Sequence, residues 1–132
     1  MLQSSSTHSP LSNPDTGRPI PGFHESATVT YNGRSFTATG AVVSPTYAYG
    51  YLRFPIDPTT KKPIESPGTL GTLHAWNGDQ IGTARITSSW RTPRSFVSSH
   101  LHQVIVTING ARYTGRSAGH GMLWRGRPTS TR

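Results

Sequence analysis

The sequence predicts an all-β domain, a small antiparallel barrel or sandwich of about six to eight strands. Three observations predict it. Asn-Gly pairs at 32–33, 77–78 and 109–110 each sit between residues that favour strands, and Asn-Gly suits a two-residue type I′ turn because both central positions take positive φ. The flanking residues of the first and last pairs alternate apolar and polar with the period of two expected of a half-buried strand. No segment longer than about ten residues carries a clean 3.6-residue repeat.

Residues 1–22 are rich in Ser, Thr, Pro and Asn and lack periodicity, which predicts a disordered arm. A single β domain is expected over 23–127, with a basic tail at 128–132. The first hairpin, VTYNGRSFT, places Val29 opposite Phe36 and Ala27 opposite Ala38 on an apolar face. Thr28 and Thr30 face Thr37 and Ser35 on a hydroxyl-covered one. AYGYLRF (48–54) reads as a further strand, and the four prolines of PIDPTTKKPIESPG (55–68) mark a protruding loop. The middle hairpin, 71–90, has a good turn signal and an open register. SFVSSHLHQVIVTI (95–108) is one long strand or two joined by a bulge. In the last hairpin Val106, Val104 and Ile108 oppose Tyr113, Gly115 and Ala111. The reverse face sets Gln103, Ile105 and Thr107 against Arg116, Thr114 and Arg112. A register slip of one residue would turn both arginines into the core, which the cost of burying charge forbids. After Ser117 the chain holds a short helical turn at most, and GMLWRGR (121–127) reads as a loop.

The charge is unevenly placed. Residues 1–79 carry five basic side chains (Arg18, Arg34, Arg53, Lys61, Lys62) and all five acids, whereas residues 80–132 carry eight arginines and no acid. The whole net charge of +8 therefore lies in the C-terminal portion. Arginine forks onto phosphate and stacks on flat rings, so this excess points to an anionic partner. There is no cysteine, which removes disulfides and thiolate metal sites. No apolar run reaches the roughly 18 residues a membrane span needs, and an intracellular, cytoplasmic protein is expected. The apolar fraction is only 32%, so a homo-oligomer or a bound partner would add stability to a modest core.

Enzyme motifs fail on context. GRSAG (115–119) matches the nucleophile-elbow pattern, but a helix should follow it and a later acid is required, and no acid occurs after Asp79. His100 and His102 form His-x-His on a strand, with His24, His74, His120 or Glu25 as third-ligand candidates. The Glu expected a few residues later is absent, so no metal is assigned. Five acids leave little for paired-carboxylate catalysis. No enzyme activity and no cofactor are expected.

The arginine-rich segments carry the functional expectation. SSWRTPRS (88–95) sets Trp90 beside Arg91 and Arg94, and GMLWRGR sets Trp124 beside Arg125 and Arg127. Trp90, Trp124 and Tyr113 are candidates to stack on bases. Arg91, Arg94, Arg112, Thr114, Arg116, Arg125 and Arg127 are candidates to hold phosphate. Ser117, Gly119 and Gly121 lie where backbone N–H groups can form an anion-holding nest. The expected function is a weakly sequence-specific nucleic-acid-binding module. A homo-oligomeric binder of a nucleotide or cyclic nucleotide, as in a phage or mobile-element protein that counters host defence, is the alternative. A structural component of a virion or ribonucleoprotein is the third reading.

Overall fold

A computed structural model describes residues 25–92 and 99–129. The expected arm at 1–22 and the candidate Arg94 lie outside these residues. Among the described residues nine strands form: β1 (Ser26–Tyr31), β2 (Arg34–Thr39), β3 (Val42–Val43), β4 (Ala48–Arg53), β5 (Leu70–His74), β6 (Gln80–Thr92), β7 (Ser99–Ile108), β8 (Ala111–Ser117) and β9 (Leu123–Pro128). Strands β4 to β9 pair antiparallel in chain order, and β9 returns to pair with β4, closing a six-stranded barrel. Closure leaves no sheet edge open to another chain along the paired lengths. The short β3 lies along the first half of β4, and β1–β2 form a separate ribbon whose Val29 and Ala38 join the barrel core. Among the described residues no helix is long and apolar enough to cross a membrane.

The first and last hairpins take the expected register pair for pair, from Val29↔Phe36 and Ala27↔Ala38 to Val106↔Tyr113 and Thr107↔Arg112. Both turns place Asn and Gly at positive φ: 55° and 75° at 32–33, 53° and 82° at 109–110. The middle hairpin differs. Only Gly78 of its Asn-Gly pair has positive φ, at 98°. Gly78 N–H bonds Ala75 C=O at 2.8 Å and Ala75 N–H bonds Asp79 C=O at 2.9 Å. The loop is therefore the three residues Trp76-Asn77-Gly78, a type of connection built on one left-handed glycine. The Asn77 side chain is spent locally, donating to Asp79 Oδ2 and accepting from Asp79 N–H. The extra residue lets Trp76 lie flat on Tyr51, ring centroids 4.3 Å apart and planes within 6°.

Inside the barrel Leu52, Leu73, Ile81, Ile86, Val104, Val106, Ile108 and Trp124 are buried. Strand β4 presents Ala48, Gly50 and Leu52 inward, so Tyr49 and Tyr51 point outward. There they form a second buried cluster with Trp76 and Val42. A bulge between Ile86 and Ser88 shifts the parity of β6. Ser89 then points in, bonding His102, and Trp90 points out. Residues 123–128 form a strand rather than the expected loop. Pairing with β8 even continues through Thr129, whose N–H donates to Arg112 C=O.

Candidate functional site

The outward face of β8 and β9 carries the arginines, because pairing fixes alternation on both strands. Thr114 lies opposite Arg127 and Arg116 opposite Arg125, while the inward residues between them are the glycine pair Gly115↔Gly126. Gly126 has a packing reason. A Cβ there would run into the six-membered ring of Trp124, so only glycine lets the indole fold under its own strand. That indole is fully buried and donates Nε1–H to Val104 C=O at 3.3 Å. An apolar anchor beneath thus holds the polar row above it in place.

On the other side β9 meets β4 with Tyr49 opposite Arg125. The Arg125 guanidinium lies 6.0 Å from the Tyr49 ring centre. The Tyr49 hydroxyl donates to Glu25 Oε1 at 2.9 Å. Burial, and next the bond to Glu25, push the Tyr49 hydroxyl well above the usual tyrosine pKa, so it stays a proton donor. The preceding turn, Ser44–Tyr47, is braced by the Ser44 hydroxyl, which accepts from the Thr46 and Tyr47 N–H groups. It brings up Tyr47, 37% exposed, with its ring 6.1 Å from that of Tyr49.

Together these residues enclose an open groove of about 930 Å³ lined by Glu25, Thr46, Tyr47, Tyr49, Gln103, Thr114, Arg116, Arg125, Arg127 and the glycine pair. Four of the candidates named from sequence, Thr114, Arg116, Arg125 and Arg127, meet there. Trp90 on β6 does not line the groove but lies beneath one of its arginines: it is 36% exposed, with the Arg116 guanidinium 5.6 Å from its ring centre. Arg112 continues the row on β8, exposed, and Arg91 is exposed near the far end of β6 beside His100. Among the described residues, Arg112, Arg116, Arg125 and Arg127 form no ion pair with a carboxylate.

Two stacking candidates are displaced from this surface. Trp124 is fully buried, and Tyr113 is 5% exposed with its hydroxyl donating to Ser44 C=O. Both rings are core, because each falls on the inward parity of its strand.

The nest candidates are also used internally. Ser117 is buried and its hydroxyl accepts from Gly119 N–H at 3.0 Å. The backbone N–H of His120 donates to Glu65 Oε2 at 2.7 Å, and Gly121 N–H to Leu52 C=O. An anion does sit in this loop, but it is the protein's own carboxylate, reaching in from the proline-rich segment. Glu65 also lies 3.4 Å from Nε2 of buried His102, whose Nδ1 meets the Ser89 hydroxyl at 2.7 Å. The His100 ring lies nearly parallel to that of His102, centroids 6.3 Å apart. Among the described residues no three metal-ligating side chains cluster.

Sequence reading missed Tyr47 and Tyr49, and named Glu25 only as a candidate metal ligand. The signal was present in TYAYGY, where tyrosines at 47, 49 and 51 repeat with period two and share a face. Nothing in the sequence connects Glu25 to Tyr49 across the fold. Comparison of the chain with protein-family models, curated proteins and solved structures gives no match.

Proposed function

We propose that the protein binds nucleic acid through the outward β8–β9 face, gripping the sugar–phosphate backbone with Arg112, Arg116, Arg125 and Arg127. The observation that carries this reading is the row of exposed guanidinium groups without a carboxylate partner among the described residues. Exposed charge of one sign, laid along a rigid strand pair and extended by Arg112 beyond the groove, suits a repeating polyanion. Tyr47 and Trp90 offer rings on which bases can stack, at about 1–3 kcal/mol each. Backbone contacts dominate such a surface, so binding should depend steeply on salt and weakly on sequence.

Fluorescence anisotropy with a 30-nucleotide single strand tests this. Affinity should fall by decades between low and physiological salt. Replacing Arg112→Ala and Arg116→Ala together should flatten the log–log slope by about 1.4, from roughly 0.7 per phosphate contact on a single strand. An unchanged slope in that double variant would refute the assignment of these side chains.

One observation favours a second reading. The groove volume falls within the range of small-ligand sites, which suits a single phosphorylated ligand such as a nucleotide. Equal affinity for a mononucleotide and a 30-mer would select that reading.

A further inference from the structure

Glu25 is out of place in the groove. It is an exposed acid on the wall of a cleft that otherwise gathers Arg116, Arg125 and Arg127, yet it pairs with none of them. Its described partner is Tyr49, which occupies a single lone pair of Oε1. A carboxylate can accept about four hydrogen bonds, so the Tyr49 bond leaves acceptor capacity on a residue that lines the groove. In a site for phosphate alone this charge would only repel the ligand. Holding Tyr49 does not require a charge either, since a neutral amide oxygen could accept the same hydroxyl proton.

We infer that Glu25 reads a base, and that the groove prefers guanine. This rests on the nucleic-acid-binding reading given above. Unpaired bases are recognised on their Watson–Crick edges, with stacking on aromatic rings. Among the common bases, guanine presents two adjacent donors on that edge, N1–H and the N2 amino group, which match the two oxygens of a carboxylate. Adenine and cytosine set one amino group beside an acceptor nitrogen. Uracil and thymine set one N–H between two carbonyls. Each of these places a lone pair against Glu25 where guanine places a hydrogen. Tyr47, at the same wall, supplies the ring against which the base lies, and Arg125 and Arg127 hold its phosphate. The hydroxyl bond from Tyr49 fixes the carboxylate before the base arrives.

The test uses the full chain and four probes: an oligothymidylate 15-mer, the same strand with one central guanosine, the same strand with inosine at that position, and guanosine 5′-monophosphate. Inosine keeps N1–H and lacks the N2 amino group. The guanosine strand should bind about tenfold tighter than the thymidylate strand, in line with a good bidentate contact, and inosine should fall between them. In Glu25→Gln the guanosine strand should bind less tightly and the thymidylate strand more tightly, because one substitution removes both an acceptor pair and a repelling charge. A carboxylate that merely braces Tyr49 would shift both strands in the same direction. Binding of the guanosine strand far above that of the mononucleotide assigns the guanine to a strand, and equal binding assigns it to a free nucleotide. Equal affinity for all three strands, or a guanine preference that survives Glu25→Gln, overturns the inference and leaves the nucleic-acid reading intact. Loss of binding to every probe overturns both. The inosine comparison uses the unaltered protein, so it does not depend on any variant folding.

Discussion

Two neighbouring stretches of the C-terminal segment share a composition and differ in what satisfies them. Residues 117–121 and residues 125–127 are both rich in glycine and polar residues, and both present groups that attract anions. In the first, the anion is Glu65 of the same chain, held by His120 N–H and set beside His102. In the second, the guanidinium groups of Arg125 and Arg127 stand exposed, and no described carboxylate pairs with them. The difference follows from backbone geometry. The loop at 117–121 curls back onto the barrel with Gly119 at φ 125° and Gly121 at φ 75°, so its N–H groups point at the protein. Strand β9 stays extended, so its side chains alternate and the arginines point away. Similar residue types thus build an internal brace in one place and an open surface in the other.

Breaking the brace should cost stability and sparing it should not. The largest expected effect is Gly119→Ala. A Cβ there would lie 2.5 Å from Glu65 Oε2, at a backbone angle that L residues rarely adopt, and strain of this kind costs about 1–3 kcal/mol before the clash is added. Urea denaturation should show a loss on the order of 3 kcal/mol. Glu65→Ala comes next, at about 2 kcal/mol by the same measurement, because it strips His120 N–H of its acceptor and His102 Nε2 of its neighbouring carboxylate.

Tyr49→Phe should be milder, about 1 kcal/mol near neutral pH, and its effect should vary with pH. Burial raises the folded-state pKa of Tyr49 above the unfolded value of 10.0. Its contribution is therefore complete below about pH 10 and declines as the pH rises further, because the unfolded chain releases the proton first. Stability measured between pH 9 and 11 should fall less steeply in Tyr49→Phe than in the parent. The smallest effect belongs to Arg125→Ala and Arg127→Ala, each expected within about 0.5 kcal/mol of the parent. A loss of 2 kcal/mol in either would mean that the open surface is a second brace, and would remove the main support for an anionic ligand.

Legibility in the sequence followed the range of the interaction. The hairpins at 32–33 and 109–110 could be read to the individual pair, because a type I′ turn fixes register locally and alternation does the rest. From that alone the outward stripe of Arg112, Thr114 and Arg116 was accessible. The turn at 77–78 misled because its Asn bonds Asp79 rather than adopting positive φ. Strand β9 was obscured by Gly126, which occupies an inward position where an apolar side chain would normally announce a strand. The reason is the Trp124 ring lying beneath it. The parity of Trp90 depended on a bulge at 86–88, which leaves no local mark. Contacts between distant segments were the least accessible. Glu65 and His120 are 55 residues apart, and Glu25 and Tyr49 are 24 apart, and neither pair carries a pattern that foretells the other.

The barrel is sewn shut where its first strand, β4, meets its last, β9, and the groove lies across that seam with Tyr47 and Tyr49 on one lip and Arg125 and Arg127 on the other. A ligand seated there would act as a clasp, resisting the parting of the two strands that must separate when the cylinder opens. Occupancy should therefore be readable as heat resistance, growing with the logarithm of ligand concentration, and ligands that engage only one lip should confer less of it at the same concentration because they bind the folded state more weakly.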